Sequence, residues 1–109
     1  MKGTYLGEFE EVVLLTVAML EDEGYGISVK QQVELRTKRT INLSAIHSTL
    51  YRLEKKGFLN SRLGEATKVR GGKRKRIFYI TPYGVKSLKE AKSLREDIWN
   101  SIPTYVLQK

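Results

Sequence analysis

The sequence predicts a mainly α (α+β) fold of three helices, a β-hairpin and a further helix, and three observations carry that prediction. Residues 41–58, INLSAIHSTLYRLEKKGF, show an apolar and a polar side at helical spacing. Two short runs rich in aromatic and β-branched residues, 58–63 and 76–81, flank a polar loop that contains Gly64, Gly71 and Gly72. Thr81-Pro82 then opens a stretch in which Val85, Leu88, Ala91, Leu94, Ile98 and Ile102 step by three or four. Helix, helix, helix, hairpin, helix is the order of a winged helix-turn-helix domain, here with one added C-terminal helix.

Each element has its own signature. Residues 6–20 have helical length and are apolar over most of their circumference from Val12 onward, so this helix is expected to be covered on more than one side. Glu23-Gly24-Tyr25-Gly26 reads as a turn. Residues 27–38 follow as a second helix that offers Ile27, Val29, Val33 and Leu35 to the core. Arg36, Lys38 and Arg39 suit its negative C-terminal pole. In the third helix, residues 41–56, Ile46, Leu50 and Leu53 form a buried stripe with Leu43 at its entrance, while Ser44, Ser48, Tyr51 and Lys55 share the opposite face. His47 and Arg52 flank that outer face. Asn42 is its expected N-cap, and Gly57 the residue that turns left-handed at its far end. Pro103 is expected to stop the last helix.

Composition limits the function. A chain of 109 residues that is 40% hydrophobic holds one modest core. Twenty Lys and Arg against twelve Asp and Glu give a net charge of +8, which favours a polyanionic partner. The charge is segregated: the first 24 residues are acidic, whereas Arg62, Lys68, Arg70, Lys73, Arg74, Lys75 and Arg76 cluster around the hairpin loop. Such a basic patch points to nucleic acid more strongly than the overall charge does. With no cysteine and a single histidine, disulfides, thiol catalysis and the usual zinc sites are excluded, and no metal or cofactor is expected. No carboxylate pair, nucleophile with base, or metal cluster suggests a catalytic residue, so an enzyme is not expected. The apolar run 12–20 is too short to span a bilayer, and Glu8, Glu10 and Glu11 before it are wrong for a signal peptide. A cytoplasmic location without membrane association is the resulting expectation.

A DNA-recognition helix needs short polar or aromatic side chains that reach base edges and cations that reach phosphates. Ser44, Ala45, His47, Ser48 and Tyr51 meet the first need, and Arg52 and Lys55 the second. Arg70, Lys73, Arg74 and Lys75 in the glycine-containing loop are expected to hold phosphates as a wing. Gly71-Gly72-Lys73 lacks the upstream glycine and the following Ser or Thr of a phosphate-binding nucleotide loop. The alternative is a winged-helix module that binds structured RNA or DNA by shape, without sequence choice. The one-sided stripe of the last helix needs a partner. The expected interface of a homodimer comprises Val12, Leu15, Met19, Leu88, Ala91, Leu94, Ile98, Trp99 and Ile102. Residues 1–81 would then be the DNA-binding domain, and 82–109 a dimerisation helix packed with the N-terminal helix.

Tyr25-Gly26-Ile27, the run from Ile46 to Phe58 with its Arg52-Leu53-Glu54 and Gly57, the loop and strand from Gly71 to Thr81, and Gly84 together resemble the PadR-like transcriptional regulators. The resemblance spans nearly the whole chain, and the short C-terminus resembles the subgroup with a single dimerisation helix. It implies a homodimeric winged-helix repressor that binds a partly palindromic operator in double-stranded DNA and is released by an effector. That family often has tyrosine then proline where this chain has His47 and Ser48, so its base preference does not transfer. Family effectors range from phenolic acids to flat multidrug ligands, which implies a small aromatic effector without fixing its identity.

Overall fold

The computed structural model describes residues 6–64 and 74–109. Helix α1 (Glu8–Leu20) leads through a single 3₁₀ turn (Glu21–Glu23) into α2 (Gly26–Thr37) and α3 (Leu43–Lys55). Strands β1 (Leu59–Leu63) and β2 (Arg76–Ile80) form an antiparallel hairpin in which Leu59 faces Ile80 and Leu63 faces Arg76. Helix α4 (Pro82–Asn100) and the short α5 (Thr104–Leu107) complete a winged-helix fold with a C-terminal extension.

The core lies where the first three helices meet the base of the hairpin. Val13, Leu14 and Val17 of α1, Val29 and Val33 of α2, and Ile46, Leu50 and Leu53 of α3 are fully buried together with Phe58, Leu59 and Phe78. The boundaries of α3 are set locally. The Asn42 side chain accepts from the Ala45 N–H at 2.8 Å. At the other end Gly57 takes φ of 89°, which turns the chain so that the Phe58 N–H reaches the Leu53 carbonyl at 3.0 Å. Thr81 caps α4 by accepting from the Gly84 N–H at 3.0 Å, with Pro82 as its first residue.

Three expectations change. Ile27 and Leu35 are exposed, and only Val29 and Val33 of α2 enter the core. Positions two residues apart on a helix lie about 200° apart, so α2 cannot bury both sets. Gly26 is the first residue of α2 and not part of a turn, the chain reversal being made by the preceding 3₁₀ turn. Pro103 does not end the helical structure: α4 closes at Asn100, and Pro103 is the N-cap of α5. Helices α1 and α2 end without glycine, on Glu21 (φ 55°, ψ −113°) and Lys38 (φ 62°, ψ 22°); Lys38 is left-handed, which costs an L-residue about 1–2 kcal/mol.

The molecule is elongated. Its extents are 60 × 31 × 20 Å and its radius of gyration is 16.4 Å, whereas a compact chain of this length has about 13 Å. The outer half of α4 accounts for this, since every residue from Lys92 to Asn100 is exposed. Among the described residues no helix is long and apolar enough to cross a membrane.

Candidate nucleic-acid interface

The helical period of α3 gives it one open side. Ser44, Ser48, Tyr51 and Lys55 are all exposed and share that side. Tyr51 is braced: its ring meets the buried Phe78 ring edge-on at 5.5 Å and lies 6.2 Å from the His47 ring, yet it remains 48% exposed. Contacts of this kind hold an aromatic side chain in one orientation while part of its surface stays open to a partner.

His47 and Ala45 do not share that freedom. Both are half-buried. The His47 ring lies over Gly26 at the start of α2, so closely that a Cβ at position 26 would fall 2.5 Å from His47 Cε1. Glycine at 26 therefore permits the approach of α2 to α3. His47 Nδ1 is buried and has no hydrogen-bond partner among the described residues.

Arg52 turns toward α1. Its Nε donates to Glu10 Oε2 at 2.8 Å, its Nη2 to Thr49 Oγ1 at 3.3 Å, and Lys56 Nζ donates to the same Glu10 oxygen at 2.9 Å. The other Glu10 oxygen accepts from the Gly7 N–H at 3.1 Å and so caps α1. Burial alone would raise the Glu10 carboxyl, but the hydrogen bonds from Arg52, Lys56 and Gly7 and the Lys56 charge outweigh it and bring it down to about 2. Two cations on one carboxylate leave a positive charge at this edge of α3.

The hairpin is tied to the same helix. Ser61 Oγ donates to Glu54 Oε2 at 2.6 Å and accepts from Arg76 Nη1 at 3.0 Å. At the base of the wing Arg74 Nε donates to the Gly64 carbonyl at 2.9 Å. Lys75 Nζ lies 4.7 Å from the centroid of the Tyr25 ring, a cation–π contact. Partial burial, then the charge and hydrogen bond of Glu23, raise the Tyr25 phenol above its ordinary value. Lys75, Tyr25, Gly26, His47 and Tyr51 thus form a continuous run of neighbours from the wing to the open face of α3. Arg70 and Lys73 lie outside the described residues.

The residues expected at a subunit interface fall on two surfaces. Leu94, Ile98 and Trp99 of α4 are about 60% exposed, while Leu88, Ala91 and Ile102 are half-buried. On α1, Leu15 and Met19 are exposed and Val12 is half-buried; with Thr16, Val33 and Arg36 they line a shallow groove between α1 and α2. Among the described residues no group of three or more His, Asp or Glu could hold a metal. Sequence reasoning missed Glu10, Lys56 and Tyr25. The i,i+4 spacing of Arg52 and Lys56, which places both on one flank, was the available signal.

The model of the transcriptional regulator PadR-like family matches residues 14–90. A PadR-like transcriptional regulator from Bacillus cereus is similar over 93% of this chain and 92% of its own, with 20% identity and a TM-score of 0.72. A PadR family transcription regulator from Clostridium difficile has 19% identity over 90% of this chain and 98% of its own, with a TM-score of 0.68. At such identities the likeness is one of fold. A transcriptional regulator from Clostridium thermocellum has 28% identity over 85% of this chain and 90% of its own, with a TM-score of 0.63. No curated protein matches the chain.

Proposed function

The chain belongs to the PadR-like family of transcriptional regulators, and on that premise we propose that it is a homodimeric repressor that reads a palindromic operator in double-stranded DNA and is released by a small aromatic effector. The observation that carries the reading is the open face of α3, with Ser44, Ser48, Tyr51 and Lys55 exposed between two flanks locked to the rest of the domain. A rigid helix presenting hydroxyls and one aromatic suits the major groove, where serine pairs with either acceptor or donor edges and apolar surface meets a thymine methyl.

In this reading Ser44, Ser48 and Tyr51 contact bases. His47 and Ala45, set back at the flanks, act through the position of the helix and of Tyr51. Lys55, Arg74 and Lys75 hold phosphates; the same role expected of Arg70 and Lys73 falls on residues outside those described. Arg52 and Lys56 keep one positive charge between them after pairing with Glu10 and meet the phosphates along the α1 side.

The elongated shape supports dimerisation. An apolar surface of Leu94, Ile98 and Trp99 on a projecting helix is the kind of contiguous patch that marks an interface, and the exposed Leu15 and Met19 of α1 offer it a counterpart. Residues 82–109 then serve as the dimerisation segment and 1–81 as the DNA-binding domain. Two copies related by a two-fold axis place two recognition helices about 34 Å apart.

The test is competition. Bound to a palindrome from the DNA upstream of its own coding region, the protein should be displaced by the same palindrome and not by unrelated duplex at moderate salt. Equal displacement by both would favour a shape-reading nucleic-acid module. Transcription from that promoter should fall on adding the protein and recover with aromatic ligands; a rise would assign activation.

A further inference from the structure

The first turn of α1 carries three carboxylates, and each is bound to a cation from a different part of the fold. Glu8 pairs with Arg39, which follows α2, at 3.3 Å, but both side chains are largely exposed, so solvent screens the pair and it contributes little. The next two are sheltered. Glu10, with 10% of its side chain exposed, receives Arg52 and Lys56 of α3 at 2.8 and 2.9 Å. Glu11, 15% exposed, receives Arg95 Nη2 of α4 at 2.7 Å. Successive residues of a helix point about 100° apart, so one turn of α1 grips the recognition helix on one side and the C-terminal helix on the other.

The two ends of α4 are held very differently. Its start is fixed by the Thr81 cap, by stacking of Tyr83 on Phe58 at 5.1 Å and by the buried Ser87. Its outer half is exposed, and Arg95 lies within that half. We propose that Glu10 and Glu11 are positioning residues that fix the angle between the recognition helix and the C-terminal helix, and so set the half-site spacing that the dimer accepts. The inference rests on the dimeric DNA-binding reading given above.

Arg95 stands thirteen residues after Pro82, about 20 Å along the helix, so a slackening of about 2 Å there tilts α4 by about 6°. Across recognition helices about 34 Å apart, that tilt moves each by about 2 Å. The two displacements together amount to about one base-pair step. A clamp of this kind affects spacing far more than stability, because the Arg95 side chain is 63% exposed.

The experiment uses the full chain and the palindrome it selects from a random duplex library, resynthesised with the spacer lengthened and shortened by one and two base pairs. The wild-type protein should discriminate against altered spacers by about tenfold or more, the range of a single mismatched pair. Glu11→Gln and Arg95→Gln should flatten that profile to within about threefold or move its optimum by one base pair, with thermal stability nearly unchanged. Exchanging the charges, Glu11→Arg with Arg95→Glu, should restore the preference. Arg95→Gln changes an exposed position and keeps the test open if the Glu11 variant folds poorly. Equal losses at every spacing, or an unaltered profile, would overturn the proposal. A wild-type protein that binds single half-sites as well as palindromes would instead remove the dimeric reading beneath it.

Discussion

Replacing Glu10 by glutamine removes the charge on which Arg52 and Lys56 converge, and the result should be a loss of stability that depends on pH. In the folded chain this carboxyl titrates at about 2 instead of 4.5. A depressed folded value means that its contribution is complete above the unfolded value and disappears as pH falls through the folded one. A displacement of that size corresponds to about 3 kcal/mol at pH 7, of which about 2 kcal/mol has gone by pH 3. Arg52 and Lys56 are partly exposed, so screening makes these upper limits. Glutamine keeps the shape of the side chain and an oxygen for the Gly7 N–H, so the charge is the main thing lost. Urea unfolding of both proteins at pH 7 and pH 3, at one protein concentration, measures the difference. The gap between wild type and variant should narrow by about two-thirds at the lower pH. A gap of equal size at both pH values would refute the reasoning, because the Glu10 contribution would then not depend on its ionisation.

Tyr51→Ala should lower operator affinity by about 1–3 kcal/mol while leaving random-duplex binding nearly unchanged; equal losses on both DNAs would take Tyr51 out of base reading. Arg74→Gln with Lys75→Gln should weaken binding to every duplex and reduce the slope of log affinity against log salt by about 2, since each phosphate contact contributes about 0.9. An unchanged slope would make the base of the wing a solvated loop. Leu94→Glu with Ile98→Glu should sediment as a monomer and lose operator binding although the α3 face is intact. Intact protein that sediments as a monomer at micromolar concentration, yet shifts a palindromic operator tightly, would sink the dimer reading.

What was legible in the sequence follows the range of the interactions that encode it. The extent and faces of α3 depend on a helical period, an asparagine cap and a glycine with positive φ, all within a few residues of one another, and all can be read from the chain. The hairpin announces itself by a change of period, and Thr81-Pro82 by its cap. The buried side of α2 does not: Ile27 and Leu35 are as apolar as Val29 and Val33, and only packing against α1 and α3 decides between them. The C-terminal ends of α1 and α2 were similarly hidden, because Glu21 and Lys38 adopt positive φ without the glycine that would mark it.

The flanks of α3 show the same limit where it bears on the proposed function. Read locally, Arg52 is one more cation beside a polar face. In the fold it belongs to a carboxylate 42 residues earlier in the chain, a pairing that no local pattern encodes. His47 is likewise drawn inward by the missing side chain at Gly26, so a histidine that looks like a base reader is set in a helix–helix seam. Neither residue is thereby removed from DNA binding. Glu10 neutralises only one of the two cations that meet it, so the α1 side of α3 keeps a positive charge that suits the phosphate contacts proposed for it. On the proposed reading, holding both cations on one anion also restricts the freedom they would otherwise lose on binding, so the contact that stabilises the fold would lower the entropic cost of engaging DNA.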